Sequence, residues 1–177
     1  MPFRTRLRFD PVAEAERQWR IHGWGDAADG MAVVTSIMRV QQLYMGIVDA
    51  VLRPHELTFA RFEVLRLLAF TREGSLPLGK IGSRLQVHPA SVTSAIDRLE
   101  RQGFVVRVPH PTDGRAVLAE ITPTGRAVVE RATLDLNEQA FSQMPVPDSD
   151  VAELVRIMRE IRRVAGDFDQ AQADQPA

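Results

Sequence analysis

Apolar residues at Met31, Val34, Met38, Met45, Val48 and Leu52 recur at heptad-like steps, with Gln41 the one polar break, and predict a long helix from Met31 to Leu52. So narrow a seam suits a helix as partner. Pro54 stops it, and LTFARFEVLRLLAF follows as a second amphipathic helix through Phe62, Leu65 and Leu68. After the turn EGSLP, GKIGSRLQ reads as a short third helix. His88-Pro89 opens a fourth, since a proline at the first helical position gives up an N–H that would be unpaired there. At 100° per residue its Val92, Ile96 and Leu99 share one face, while Ala90, Ser94, Asp97 and Arg101 point the other way, flanked by Ser91, Thr93 and Arg98.

Gly103 ends that helix, and FVVRV and VLAEIT follow as β-branched strands on either side of an Asp113-Gly114 turn. Thr122 and Pro123 restart a helix as cap and first residue. It is expected to run to about Met144, where PVPDSD breaks it. A last helix carries Leu154, Met158, Ile161, Ala165 and Phe168 in one stripe. At the other end DPVAEAERQWRIHGW predicts a short helix failing at Gly23 and Gly25, with GDAADG as a turn.

Helix, turn, helix, then hairpin is the order of a winged helix-turn-helix. The expected fold is mainly α with a small β wing: an N-terminal extension at 1–30, dimerisation helices at 31–53 and 123–168, a DNA-binding unit at 56–122 and a flexible tail at 169–177. The major groove admits a helix. Small residues at its leading end (Ala90, Ser91, Thr93, Ser94) allow close approach to base edges, hydroxyls donate or accept, and Arg98 supplies bidentate or phosphate contacts. Arg115, at the hairpin tip, is placed to enter the minor groove, with Asp113 to steady it.

Composition narrows the choice further. The 177 residues are 45% hydrophobic and 25% charged, which describes a globular chain. Net charge is −1, but residues 77–115 hold six basic against three acidic side chains and residues 130–177 five against ten, so the basic segment coincides with the predicted reading unit. Cysteine is absent, which excludes disulfides, thiolate metal sites and thiol redox sensing. No apolar run of membrane-span length stands out and MPFRTRLRF has no signal-peptide core, so a cytoplasmic location without membrane partners is expected. His55, His88 and His110 lack metal-ligand spacing, and no nucleophile, nucleotide or paired-carboxylate motif occurs. No metal, no cofactor and no enzymatic activity are expected. A winged helix used for protein interaction is the alternative, separated by salt-dependent duplex binding.

The run ASVTSAIDRLERQGFVVRVPHPTDGRAVLAEITPTGRAVV resembles the recognition helix and wing of the multiple antibiotic resistance regulator (MarR) family, and LPLGKIGSRLQV is similar to its first helix-turn-helix element. The resemblance implies a homodimeric transcriptional repressor on a pseudo-palindromic double-stranded operator, released by a small anionic or aromatic effector bound between the dimer helices and the winged domain. By position, Ser91, Thr93, Ser94 and Arg98 match the family's recognition-helix contacts, and Arg115 and Asp113 its wing-tip pair. The wing here is sparser in Asp and Arg than in many members, and Gly79 and Gly82 weaken the third helix.

The extension carrying Trp19 resembles that of the urate-responsive branch, and Glu63 sits at that branch's acidic ligand position. Ala95 replaces its ligand-holding arginine, which argues against urate. Trp19, His22 and Trp24 either pack the extension onto the body or line an effector pocket, with Arg17 or Arg20 to balance an anionic group. The methionine stripe is either dimer or core packing or a pliable pocket.

Overall fold

The computed structural model describes residues 7–113 and 116–168; Gly114, Arg115 and the tail 169–177 lie outside the described residues. The chain divides into two compact units, Met1–Ala140 and Phe141–Ala177. The first opens with a helical hairpin of α1 (Pro11–Ile21) and α2 (Gly25–Leu52). Gly23, at φ 85°, is the left-handed residue of the three that separate them. Its N–H bonds the Arg20 carbonyl, and the Trp24 N–H bonds the Trp19 carbonyl at 2.9 Å, the closure in which a left-handed glycine satisfies the last carbonyls of a helix. GDAADG is therefore the first turn and a half of α2 rather than a turn. Packing against α1, which buries Ala28 completely, overrides the loop-like composition.

The expectation of no membrane-length apolar segment also needs correction. Gly25–His55 is long and apolar enough by length and composition to cross a membrane, with a window mean hydropathy of 1.2. Its sparse charges, Asp26, Asp29, Arg39, Asp49 and Arg53, and its polar Thr, Ser and Gln residues divide it into short apolar runs, so that no single run shows the average.

A short 3-10 turn, Arg53–His55, follows α2, and Glu56 then adopts φ 57°. His55 Nε2 lies 2.6 Å from the Asp135 carboxylate, tying this corner to a later helix. The reading unit is α3 (Phe59–Phe70), β1 (Ser75–Pro77), α4 (Leu78–Leu85), α5 (Pro89–Arg101), β2 (Val105–Pro109) and β3 (Val117–Ile121). The sheet has three antiparallel strands in the order β1-β3-β2, with Leu76 opposite Ala119 and Arg107 opposite Ala119 on the other side. The turn expected at EGSLP thus contains an edge strand, where the missing N–H of Pro77 is tolerated. Then α6 (Pro123–Gln139) starts at Thr122, whose Oγ1 accepts the Gly125 N–H at 3.0 Å. It ends five residues before Met144, because Ala140 at φ −128° leaves the helical region.

One apolar core holds this unit together. Leu52, Leu65, Leu68, Ile81, Ile96, Leu99, Val105, Val129 and Leu136 are all fully buried, each worth roughly 1.5–3 kcal/mol relative to exposure. Gly82 belongs to this packing. A Cβ there would lie 3.3 Å from the Val87 carbonyl oxygen and 3.4 Å from Val92, so the glycine that weakens α4 as a helix lets the α4–α5 turn close. The second unit is α7 (Asp148–Val164), closed at Gly166 (φ 77°) by the same bond pattern as α1. No residue of α7 is buried.

Candidate nucleic-acid interface

The placement of α5 decides what can be read. Val92, Ile96 and Leu99 are at most 1% exposed, which fixes the helix rotation and turns Ala90, Ser91, Thr93, Ser94 and Arg98 outward, all of them exposed. At its start, His88 Nδ1 accepts the Ala90 N–H at 3.2 Å, so this histidine is a helix cap. At its end, Gly103 at φ 74° and the Phe104 N–H, bonded to Leu99 O at 2.9 Å, close the helix and launch β2.

The outward face is divided between two grooves. Ser91, Ser94 and Arg98 line an open groove of about 720 Å³ together with Arg101 and, from the start of α3, Thr58 and Arg61. Thr93 faces the opposite groove, toward Gly79, Ser83 and Gln86 of α4 and its turn, and its Oγ1 donates to the Pro89 carbonyl at 3.1 Å. Three guanidinium groups therefore border one open surface. Burial, and then the neighbouring charge of Arg98, push the pKa of Arg61 down from the usual arginine value; Glu56 partly opposes this. Cations crowded in this way gain from an anion placed between them, and an open groove suits the edge of a larger partner better than an enclosed small molecule.

The acidic side chains of α5 are taken out of that surface. Arg107 of β2 donates to both Asp97 and Glu100, an arrangement that raises its own pKa, chiefly through the Asp97 hydrogen bond. The bond network neutralises two carboxylates that would repel phosphate and ties the helix to the wing strand. Arg61, Arg101 and Arg107 were absent from the residues expected to bind. A basic residue in the first turn of α3 carries no local motif, and only the fold brings it beside α5.

The wing tip has its own brace. His110 Nδ1 accepts the backbone N–H groups of Thr112 at 3.3 Å and Asp113 at 3.1 Å, and its own N–H bonds the Ala116 carbonyl at 3.1 Å. Asp113 is exposed at the tip. Arg115, its expected partner, lies outside the described residues.

The expected effector residues are only partly gathered. Trp19 and Trp24 meet edge-to-face at 5.5 Å and His22 stacks on Trp24 at 5.8 Å. The tryptophan pair occupies the two positions whose apolar contact accompanies the closure at Gly23, so helix termination accounts for it. Glu63 stands on α3, half-buried, with its carboxyl pKa raised by burial. A raised carboxyl pKa means the folded state holds its proton more tightly, so the wild type loses stability as pH rises from below 4.5 through the raised value. Glu63→Gln should accordingly melt higher than wild type at pH 7 to 8, with the two melting curves converging near pH 4. A gap that does not shrink on acidification contradicts this.

Comparison with known proteins places this geometry. The MarR family model matches residues 57–117, from the start of α3 into the wing. An uncharacterised HTH-type transcriptional regulator of Mycobacterium leprae (strain TN) is 33% identical over 90 residues, 51% of this chain and 63% of that protein's length. Sco5413, a MarR family transcriptional regulator from Streptomyces coelicolor, is 49% identical in the aligned region, which covers 80% of this chain and 99% of that one, with a TM-score of 0.73. A mutant MarR from E. coli complexed with operator DNA shares the fold at a TM-score of 0.70 and 23% identity, over 76% of this chain and 96% of that one. With its helix-turn-helix, its wing and this degree of identity, the chain belongs to the MarR family of DNA-binding transcriptional regulators.

Proposed function

We propose that the chain is a cytoplasmic, homodimeric, effector-responsive repressor that binds a pseudo-palindromic operator, with α5 in the major groove and Arg115 of the wing in the minor groove. The groove uniting Ser91, Ser94 and Arg98 with Arg61 and Arg101 carries this reading, because it combines hydroxyls for base edges with cations for phosphates. Ala90 and Thr93 complete the reading face, and Asp113 orients Arg115. The operator complex of a neighbour with the same fold supports the docking. Selection of bound sequences from a random duplex pool tests it. Two half-sites about 10 bp apart centre to centre are expected, and recovery of no sequence preference overturns the reading in favour of a protein-interaction winged helix.

Arg115→Ala should weaken binding to all sequences alike and reduce the salt slope by about one charge per subunit. An unchanged slope would remove the wing from the interface.

Dimerisation is supported by apolar side chains left exposed on α2 (Val33, Val34 and Met38, the last 61% exposed) and along α7 (Val155, Ile161, Val164). A monomer by sedimentation at micromolar concentration refutes it. For the effector, an open aromatic edge is available: Trp24 is 55% exposed and stacked with His22, beside Trp19. A planar anion is the class that suits it, with Arg17, Arg20 and Glu63 as further polar partners. CouR from Rhodococcus jostii RHA1, of the same fold, has been crystallised with p-coumaroyl-CoA. Trp19 and Trp24 are the only tryptophans, so a ligand that releases operator without altering intrinsic fluorescence places the pocket elsewhere.

A further inference from the structure

The C-cap of α5 carries a side chain that DNA reading as described does not use. Gln102, half-buried, donates from Nε2 to the Glu56 carbonyl at 2.9 Å and accepts on Oε1 from Arg61 Nη1 at 2.8 Å. Both ends of the amide are engaged, so its orientation is fixed. The Glu56 carbonyl is presented by a backbone at φ 57°, an uncommon conformation for a residue with a side chain, at the corner where α2 gives way to α3. Arg61 is held from a second direction, its Nε donating to Thr58 Oγ1 at 3.2 Å.

These bonds oppose a definite tendency. Arg98 shares the groove with Arg61, and its charge repels the Arg61 guanidinium. An arginine held only by its flexible stem would swing toward water and surrender that rotamer freedom again on binding. Gln102 supplies the acceptor that keeps it in place, anchored on the Glu56 backbone rather than on DNA.

We propose that Gln102 is a positioning residue for operator binding: by bridging the Glu56 carbonyl and Arg61 it holds the Arg61 guanidinium in the α5 groove as a preset phosphate contact. The proposal rests on the groove being the DNA face.

The test uses the full chain and a selected operator duplex, titrated over a salt series with wild type, Gln102→Met, Arg61→Ala and the double variant, at a temperature well below all four melting transitions. Gln102→Met keeps the length of the side chain and removes both hydrogen bonds. It should weaken binding roughly two- to tenfold, and add nothing once Arg61 is alanine. Arg61→Ala should itself lower the salt slope by about one charge per subunit. If the two losses multiply in the double variant, or if Gln102→Met binds like wild type while Arg61→Ala is weakened, Gln102 does not act through Arg61 and the proposal alone falls. If Arg61→Ala leaves affinity and slope unchanged, the proposal falls together with the assignment of Arg61 to the interface. A Gln102 that only stabilised the fold would lower the melting temperature in both backgrounds and leave affinity at this temperature unchanged, the second of the overturning results above.

Discussion

Gly125→Ala is expected to lower the melting temperature by about 10 °C. A Cβ at Gly125 would sit 2.1 Å from the Phe104 carbonyl oxygen, 2.9 Å from its carbon and 3.1 Å from Ile121 Cγ1. The obstacle is backbone, and that backbone is committed. Phe104 O accepts the Thr122 N–H at 3.0 Å, while Thr122 Oγ1 donates to Gly103 O at 2.7 Å and accepts the N–H of Gly125 itself. Relief requires the first turn of α6 to lift off β2, breaking its cap and opening the core at Phe104 and Val129. Overpacking of this kind costs about 3 kcal/mol or somewhat more, and at roughly 2–4 °C per kcal/mol for a chain of this size that gives the stated shift. Gly79→Ala is the control, since a Cβ there meets nothing within 4 Å, and it should melt at or slightly above wild type. An unchanged transition for Gly125→Ala would mean that the α6–wing junction is looser than described.

The second large effect is on binding, without loss of fold. Arg98→Glu places a carboxylate between Arg61 and Arg101, where it pairs with the cations meant for phosphate and repels the duplex. With two reading heads in the proposed dimer, each losing a contact worth about 1–3 kcal/mol, affinity should fall a hundredfold or more at physiological salt and the salt slope should flatten. Arg98 is exposed and makes no core contact, so stability should move by less than about 0.5 kcal/mol. Binding within twofold of wild type would exclude the groove as the contact surface.

What the sequence made legible follows from how local each signal is. The rotation of α5 was readable because Val92, Ile96 and Leu99 alone set it, and the hairpin was readable because β-branched runs flank an Asp-Gly pair. Strand β1 was not: three residues ending in proline have no periodicity, and they become a strand only by pairing with β3. GDAADG was misread because glycine and aspartate favour turns locally, whereas packing of α1 on α2 makes it helical. The site divides likewise. Ser91, Ser94 and Arg98 lie on one helix face and are legible there, but Arg61 comes from α3, 30 positions from Ser91, and Gln102, at the C-cap of α5, acts by reaching back to Glu56 and Arg61, which nothing in a linear pattern joins. Asp97 points outward from α5 in the sequence pattern, but its pairing, with Glu100, to Arg107 across the turn in β2 is not written in that pattern.

The ring of His110 gives this part of the wing a tolerance to substitution. Because Nδ1 collects backbone N–H groups, the backbone at Thr112 and Asp113 is held from the base of the hairpin, by main-chain donors that every non-proline residue supplies. A substitution at Thr112 or Asp113, other than to proline, keeps those donors, whereas loss of the histidine takes away the acceptor that both of them share.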